Sequence, residues 1–398
     1  MNSVIFLVFL LSLSFIFTKK HFAAQGSVAS GKISAIPNYY GYCAVLWIAL
    51  ATLITAIFLN QVTDLSAQIF ALIATTFTIG TNLLMRKKIS GAFNARKHFE
   101  KIFLNILRVI SLVSIIITFM IVFSILTEAI KFFSQVSLTS FLFGTKWSPQ
   151  VAMHSGGSGS SGSFGAVPVF VGTLLITAIA IIIAVPFGIL SAIFLTEYSS
   201  KRFRNIAKPI LEILAGVPTV VYGYFAAFTV APFLKVFLAK FNLDIAAESA
   251  LAAGLVMGIM IIPFILSLSD DVMNAVPQAL REASYAMGCT KSETIKKVVI
   301  PAALPGISGA VLLAISRAIG ETMIVTMAAG LNANLSFNPL DSVTTATAQI
   351  VTLLVGDQEF DSVKTLAAFA LGITLFVITL ALNFAALLIV RKYREKYD

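Results

Sequence analysis

Stretches free of Asp, Glu, Lys and Arg recur along the whole chain, at 1–18, 33–63, 65–85, 109–127, 147–196, 213–234, 249–269, 298–316, 322–340 and 365–390. A helix needs about 20 apolar residues to cross the hydrocarbon of a bilayer. Most of these stretches qualify. The stretch 147–196 opens with Trp147, Ser148, Pro149 and a Gly/Ser run from Ser155 to Ser163, so its spanning part begins near Pro168. The pair 298–316 and 322–340 reads as one span interrupted by Arg317 and Glu321. The pattern therefore predicts nine spans, near 3–18, 40–59, 65–85, 103–131, 168–196, 211–237, 248–268, 303–330 and 364–390. The expected fold class is an all-α polytopic membrane protein. Gly254 and Gly258, four residues apart, permit close helix packing, and packing within this chain is expected ahead of the alternative, a dimer seam. Pro186, Pro218 and Pro232 are expected to kink their spans.

Composition agrees with this pattern and excludes other classes. Of 398 residues, 58% are hydrophobic and 12% charged, against about 25% charged in soluble domains. A soluble enzyme, a nucleic-acid binder and a disordered chain are excluded, because too much apolar surface would face water. The net charge of +10 then matters by position. With 19–39, 86–101, 197–209, 269–301 and 391–398 inside, together with Arg108, that side holds 22 of the 28 Lys and Arg. The opposite side keeps five: Lys131, Lys146, Lys235, Lys240 and Lys364. The positive-inside rule puts the amino terminus outside and the carboxyl terminus in the cytoplasm. A cleaved signal peptide is the other reading of 1–18. No positive residue precedes that apolar run, however, and Lys19 and Lys20 follow it, which suits an anchor. The basic segment Arg86 to Lys101 divides a three-span unit, 1–100, from a six-span remainder, 101–398. Nothing assigns a task to 1–100. Cys43 and Cys289 suggest no disulfide framework, and His21, His98 and His154 form no metal-ligand spacing. No cofactor or metal is expected.

Two segments carry candidate chemistry, and a third fails a test. Gly26 to Lys32 matches the front of a phosphate-binding loop, but Ile33 stands where Ser or Thr should hold magnesium, and no strand precedes it. Energy from ATP must then come from another chain. The cytoplasmic loop 270–301 is more informative. Pro277 can open a helix, Ala279 to Met287 favour one, and Gly288 can end it in a left-handed conformation. A second helix, Ser292 to Val299, is expected to run until Pro301. A long loop with its own capping signals is usually functional. Glu282-Ala283-Ser284, three residues, Gly288, nine residues, then Val298-x-Ile300-Pro301 resembles the EAA loop of binding-protein-dependent ABC importers, with Ser284 replacing the second Ala. The resemblance implies that Arg281, Glu282, Ala283, Gly288 and Pro301 belong to a loop that docks on an ATPase subunit.

The eighth span reads Ser316-Arg317-Ala318-Ile319-Gly320-Glu321-Thr322. In one continuous helix, Arg317 and Glu321 would share a face, i to i+4. Charges at membrane depth are costly, about 2.5 kcal/mol each or more. They mark either a self-neutralising structural pair or a path for an anion. Arg suits phosphate because its planar fork donates two parallel hydrogen bonds. The stretch resembles the permeases of phosphate-specific importers, and Met323-x-Val325-Thr326-Met327 is closer to their C-type subunit. Lys146-Trp147-Ser148-Pro149, Phe164-Gly165-Ala166-Val167-Pro168, Leu214-Ala215-Gly216-Val217-Pro218 and Thr344 to Ile350 agree, so that the resemblance covers about 102–398. It implies translocation of phosphate past Arg317 and Glu321 across a bacterial inner membrane. The implied partners are an A-type permease, an ATP-binding subunit dimer and a periplasmic phosphate-binding protein, with lipid around the spans. Permeases for phosphonate, sulfate or molybdate, and less readily an ion-coupled secondary transporter, are the rival readings. The second would leave the EAA loop without a task.

Overall fold

The computed structural model describes residues 15–21, 23, 36–43, 45–46, 80, 94–149, 162–355 and 362–393. The spans expected near 3–18, 40–59 and 65–85, the Gly26–Lys32 segment and most of the Gly/Ser run therefore lie largely or wholly outside the described residues. Helices account for most of what remains. They are α1 Ala95–Gln135, α2 Leu138–Phe143, α3 Val167–Ile193, α4 Lys201–Ala215, α5 Thr219–Phe225, α6 Ala231–Ala239, α7 Ala250–Asn274, α8 Gln278–Ala286, α9 Lys291–Thr294, α10 Ile300–Ile319, α11 Met323–Ala328, α12 Ala346–Leu354 and α13 Val363–Tyr393. Two short antiparallel strands, β1 Trp147–Ser148 and β2 Ser163–Phe164, pair Trp147 with Phe164. Among the described residues, six helices are long and apolar enough to span a membrane: 95–135, 167–198, 219–239, 250–274, 291–319 and 363–388.

The chain divides into two compact units, Met1–Phe119 and Met120–Asp398. In the first, the rings of Tyr39, Tyr42, Phe99 and Phe103 form a chain of contacts 5.8–6.3 Å apart. Cys43 Sγ donates to the Ala95 carbonyl at 3.2 Å.

The second unit is built around α7, whose most apolar stretch is 61% buried, the highest share of the six. Its small residues explain this. A Cβ on Gly254 would lie 2.7 Å from Ile179 Cγ2, and one on Gly258 would lie 3.0 Å from the Ala180 carbonyl oxygen. The two glycines thus let α7 press against α3 within this chain, as their spacing predicts. Ile176, Ala180, Met257, Met260 and Ile261 fill the seam. At one end of the spans a second cluster gathers Phe132, Phe141, Trp147 and Phe164 edge to face. At the other end, Leu195, Leu266, Met273, Val276, Val299 and Ala303 close the core beneath 270–301.

Three expected helix boundaries move. The span expected at 211–237 begins at Thr219: residues through Ala215 belong to α4, and Gly216 and Pro218 separate the two helices. Proline disfavours helical backbone in the residue before it, so the chain turns there and does not merely kink. Pro186 lies inside α3, and Pro232 opens α6 after a π-helical turn at Ala226–Val230. The helix expected to stop at Pro301 continues. A π-helical turn, Ile295–Val299, carries the chain from α9 into α10, and the Ile300 amide bonds to the carbonyl of Ile295. The wider turn absorbs the missing amide and the ring of Pro301, which would otherwise break the helix. The span expected at 303–330 ends early, at Ile319.

Candidate functional site

The loop 270–301 folds as a helix–turn–helix. Pro277 caps α8, and Gly288 adopts φ +83°, the left-handed conformation that glycine supplies without strain. Thr290 then starts α9 with a capping box: its hydroxyl accepts from the Glu293 amide while the Glu293 carboxylate accepts from the Thr290 amide at 2.9 Å. The residues singled out by sequence divide by direction. Glu282, Ala283 and Gly288 are exposed, as are Tyr285 and Met287, the latter 84% exposed. They form an outward surface. Arg281 and Ser284 turn inward and are buried. Arg281 donates to Glu197, in the turn that ends the α3 span, and to the Met273 carbonyl at 2.7 Å near the end of α7. Arg281 therefore holds the loop to two spans, and the outward surface belongs to its neighbours. Pro301 lies within the α9–α10 helix, half-buried, as the root of the loop.

A charge cluster that sequence reasoning missed braces the same end. Asp270 is fully buried. Arg204 donates to both its carboxylate oxygens, at 3.0 and 2.9 Å, Lys208 at 2.8 Å and Thr196 Oγ1 at 2.7 Å. Lys208 also reaches Asp271 at 2.7 Å. Burial pulls the Lys208 ammonium toward losing its proton, but the bonds to Asp270 and Asp271 outweigh it and hold its pKa above the ordinary lysine value. A buried carboxylate needs such partners, since an uncompensated one costs several kcal/mol. The available signal was the i, i+4 pair Arg204 and Lys208 on one face of α4, with Asp270 at a span end.

Arg317 and Glu321 do not share a helix. Arg317 lies in the last turn of α10, Gly320 ends that helix, and Glu321 precedes α11. Among the described residues no ion pair joins them. Each charge instead meets a helix end of the favourable sign, the cation at a carboxyl end and the carboxylate beside an amino end. The Arg317 guanidinium lies over the Phe264 ring, 5.4 Å from its centroid. Glu321 is buried, its carboxylate accepts from the Met323 amide at 3.2 Å, and its carbonyl accepts from Thr347 Oγ1 at 2.8 Å. The interruption thus leaves a half-buried guanidinium with a π face and, among the described residues, no carboxylate partner.

Residues 184–395, more than half of the chain, match the family described as binding-protein-dependent transport system inner membrane component. The chain belongs to that family. The permease is 38% identical over 259 residues to the phosphate transport system permease protein PstC of Mesorhizobium japonicum, covering 60% of this chain and 74% of that protein. It is 35% identical over 256 residues to the probable ABC transporter permease protein YqgH of Bacillus subtilis, covering 64% of this chain and 77% of that one. Among solved structures, a bacterial ABC transporter that imports the acidic polysaccharide alginate has a similar fold. Its TM-score is 0.52 at 15% identity, covering 75% of this chain and all of that one. The permease is thus a multi-pass inner-membrane component of an ABC importer. Its family implies a complex with an ATPase and a periplasmic binding protein.

The end of the permease opposite the loop is equally built. Trp147 Nε1 donates to Gln349 Oε1 at 2.9 Å, and Gln349 Nε2 donates to the Leu331 carbonyl at 2.7 Å. The Ala346 amide donates to Thr173 Oγ1 at 3.0 Å. A Cβ on Gly172 would lie 2.1 Å from the Thr344 carbonyl oxygen, so only glycine fits that approach. The motifs at Lys146–Pro149 and Thr344–Ile350 therefore meet in one hydrogen-bonded platform together with Gly172 and Thr173 of α3, although all are far apart in sequence.

Proposed function

We propose that this chain is the C-type permease of an importer for inorganic phosphate, with Arg317 on the translocation path. The observation that carries the assignment of Arg317 is its guanidinium at the break between α10 and α11, held over Phe264 and without a carboxylate partner among the described residues. A guanidinium there matches an oxyanion with two parallel hydrogen bonds. The PstC relative supports phosphate as that oxyanion. Glu321, one residue past the break, belongs to the same passage and keeps α11 capped beside it.

The permease pairs with an A-type partner, and two ATPase copies dock on the 270–301 loops. Glu282, Ala283, Tyr285 and Met287 form the docking face, while Arg281 and Pro301 carry its movement into α3, α7 and α10. A periplasmic phosphate-binding protein docks on the outer segments 134–166 and 332–363. The amino terminus lies outside and the carboxyl terminus in the cytoplasm, following the distribution of Lys and Arg. Residues 1–100 are an amino-terminal membrane extension and 101–398 the permease core, and ATP is hydrolysed on the other subunits. The test is phosphate uptake into vesicles holding the assembled complex. Uptake should require ATP and the binding protein, and Arg317→Met should reduce it at least about tenfold without loss of assembly. Uptake of sulfate or molybdate in preference to phosphate would overturn the substrate.

A further inference from the structure

We propose that α4 and the groove beneath it form a binding site for an anionic phospholipid. The helix has three sides. Arg204, Ala207, Lys208 and Leu211 face the protein and are partly buried. Phe203, Ile206, Ile210 and Ile213 form a second side, each between 53% and 71% exposed. Lys201, Asn205 and Glu212 form a third, exposed and polar, with Arg202 on its border with the apolar side. At 100° per residue these sets fall into three separate sectors. A helix with one side bonded to protein needs no second apolar side to stay folded. Two exposed sides of opposite character are what a helix in the plane of a membrane surface requires.

Position agrees with that chemistry. The α3 span runs to Tyr198, three residues before α4 begins, and Asp270, near the end of the α7 span, is bonded to α4 itself. α4 therefore lies where spans leave the bilayer. Between it, α3 and α7 runs an apolar groove of about 610 Å³, lined by Leu190, Phe194, Phe203, Ile206, Ile210 and Ile262 among others. Two of its wall residues on α3, Leu190 and Phe194, are 65% and 51% exposed. The groove is thus continuous with the exposed face of a span and open to acyl chains.

Charge selects the headgroup. Arg204 and Lys208 are already engaged by Asp270 and Asp271. Among the described residues, Lys201 and Arg202 have no carboxylate partner, and both are exposed at the α4 terminus next to Phe203. Glu212 lies about 15 Å further along the axis, at 1.5 Å per residue, and does not neutralise them. Two free cations beside an apolar groove fit a phosphodiester headgroup whose acyl chain fills the groove.

The test is native mass spectrometry of the assembled complex, released from detergent in the presence of phosphatidylglycerol or phosphatidylcholine. Phosphatidylglycerol should be retained over phosphatidylcholine. Each basic residue near an anionic surface contributes roughly fivefold, so Lys201→Gln with Arg202→Gln should weaken that retention by about 30-fold and leave phosphatidylcholine unchanged. Both side chains are exposed, so the double variant folds. Millimolar inorganic phosphate should not displace the lipid; displacement would mean a simple anion site and overturn the proposal. Equal retention by wild type and double variant would also overturn it. So would lipid held by the isolated chain but lost on assembly, since a protein partner would then cover the face. The readout does not use transport, so its failure would leave the functional reading untouched.

Discussion

Ser284 and Thr294 share a 2.8 Å hydrogen bond between their hydroxyls across the turn at Gly288. Both side chains are buried, at 7% and 1% exposure. The bond gives a reason for the serine in the Glu-Ala-Ser stretch, where the resembled loop carries alanine. One hydroxyl donates to the other where both are buried. Ser284→Ala removes one partner and leaves Thr294 Oγ1 buried without it, at a cost of about 1–3 kcal/mol. Hydrogen exchange across 279–294 in the assembled complex should speed up accordingly. Ser284→Ala with Thr294→Val removes both polar groups and should recover most of the protection. Protection unchanged by the single variant would show that the bond holds nothing.

Gly288 offers a cleaner separation of shape from conformation. A Cβ added there meets no atom within 4 Å, yet φ is +83°. Any effect of substitution is therefore backbone strain, about 1–2 kcal/mol for a residue with a Cβ. Asparagine tolerates this region far better than a β-branched residue. Gly288→Val should lower ATPase stimulation by the binding protein, and Gly288→Asn should keep most of it, at equal levels of assembled chain. Equal loss in both would point to a steric contact with the ATPase in place of strain.

The Arg281–Glu197 pair tests how the loop is fastened. Both side chains are nearly buried, 10% and 7% exposed. Removing one member of such a pair costs about 3–5 kcal/mol, because the other is left uncompensated. Arg281→Met should thus loosen the loop and reduce recovery of ATPase with the purified permease. Adding Glu197→Gln should restore part of that recovery. If the double variant is no better than the single, Arg281 acts by direct contact with the ATPase.

What was legible in the sequence follows from range. Gly288 and Pro277 are local signals, and the first helix and the turn of 270–301 formed as they predict, while the second helix runs on past Pro301. Gly254 and Gly258 also carried enough information, because small residues four apart have few uses in a span. The basic pair Arg204 and Lys208 was visible, but its meeting with Asp270 was not legible, since Thr196, Arg204 and Lys208 lie 62–74 residues from it. Sequence patterns cannot show which turns meet at one end of a bundle. Trp147 and Gln349, 202 residues apart, were hidden for the same reason. Arg317 and Glu321 misled in the opposite way. Their spacing fits a helix so well that Gly320 between them was read through, although a glycine ahead of Glu and Thr is also an end signal.

The break at Gly320 changes what substitution of Arg317 should do. In a shared helix face, neutralising both charges would repair the damage of neutralising one. Here each charge is met by its own helix end, and Glu321 is occupied by the Met323 amide. Arg317→Met should therefore reduce phosphate uptake by at least about tenfold, since one lost charge-assisted hydrogen bond is worth about 1.5–3 kcal/mol. Assembly should be unaffected, because among the described residues Arg317 holds the Phe264 ring alone, a contact worth about 0.5–2 kcal/mol. Adding Glu321→Gln should give no rescue. Arg317→Lys keeps a charge and loses the bidentate fork, and so should fall between wild type and Arg317→Met. The measurement is phosphate uptake into vesicles, normalised to assembled complex. Wild-type uptake in Arg317→Met with Glu321→Gln would remove Arg317 from the path and return the two residues to a structural partnership.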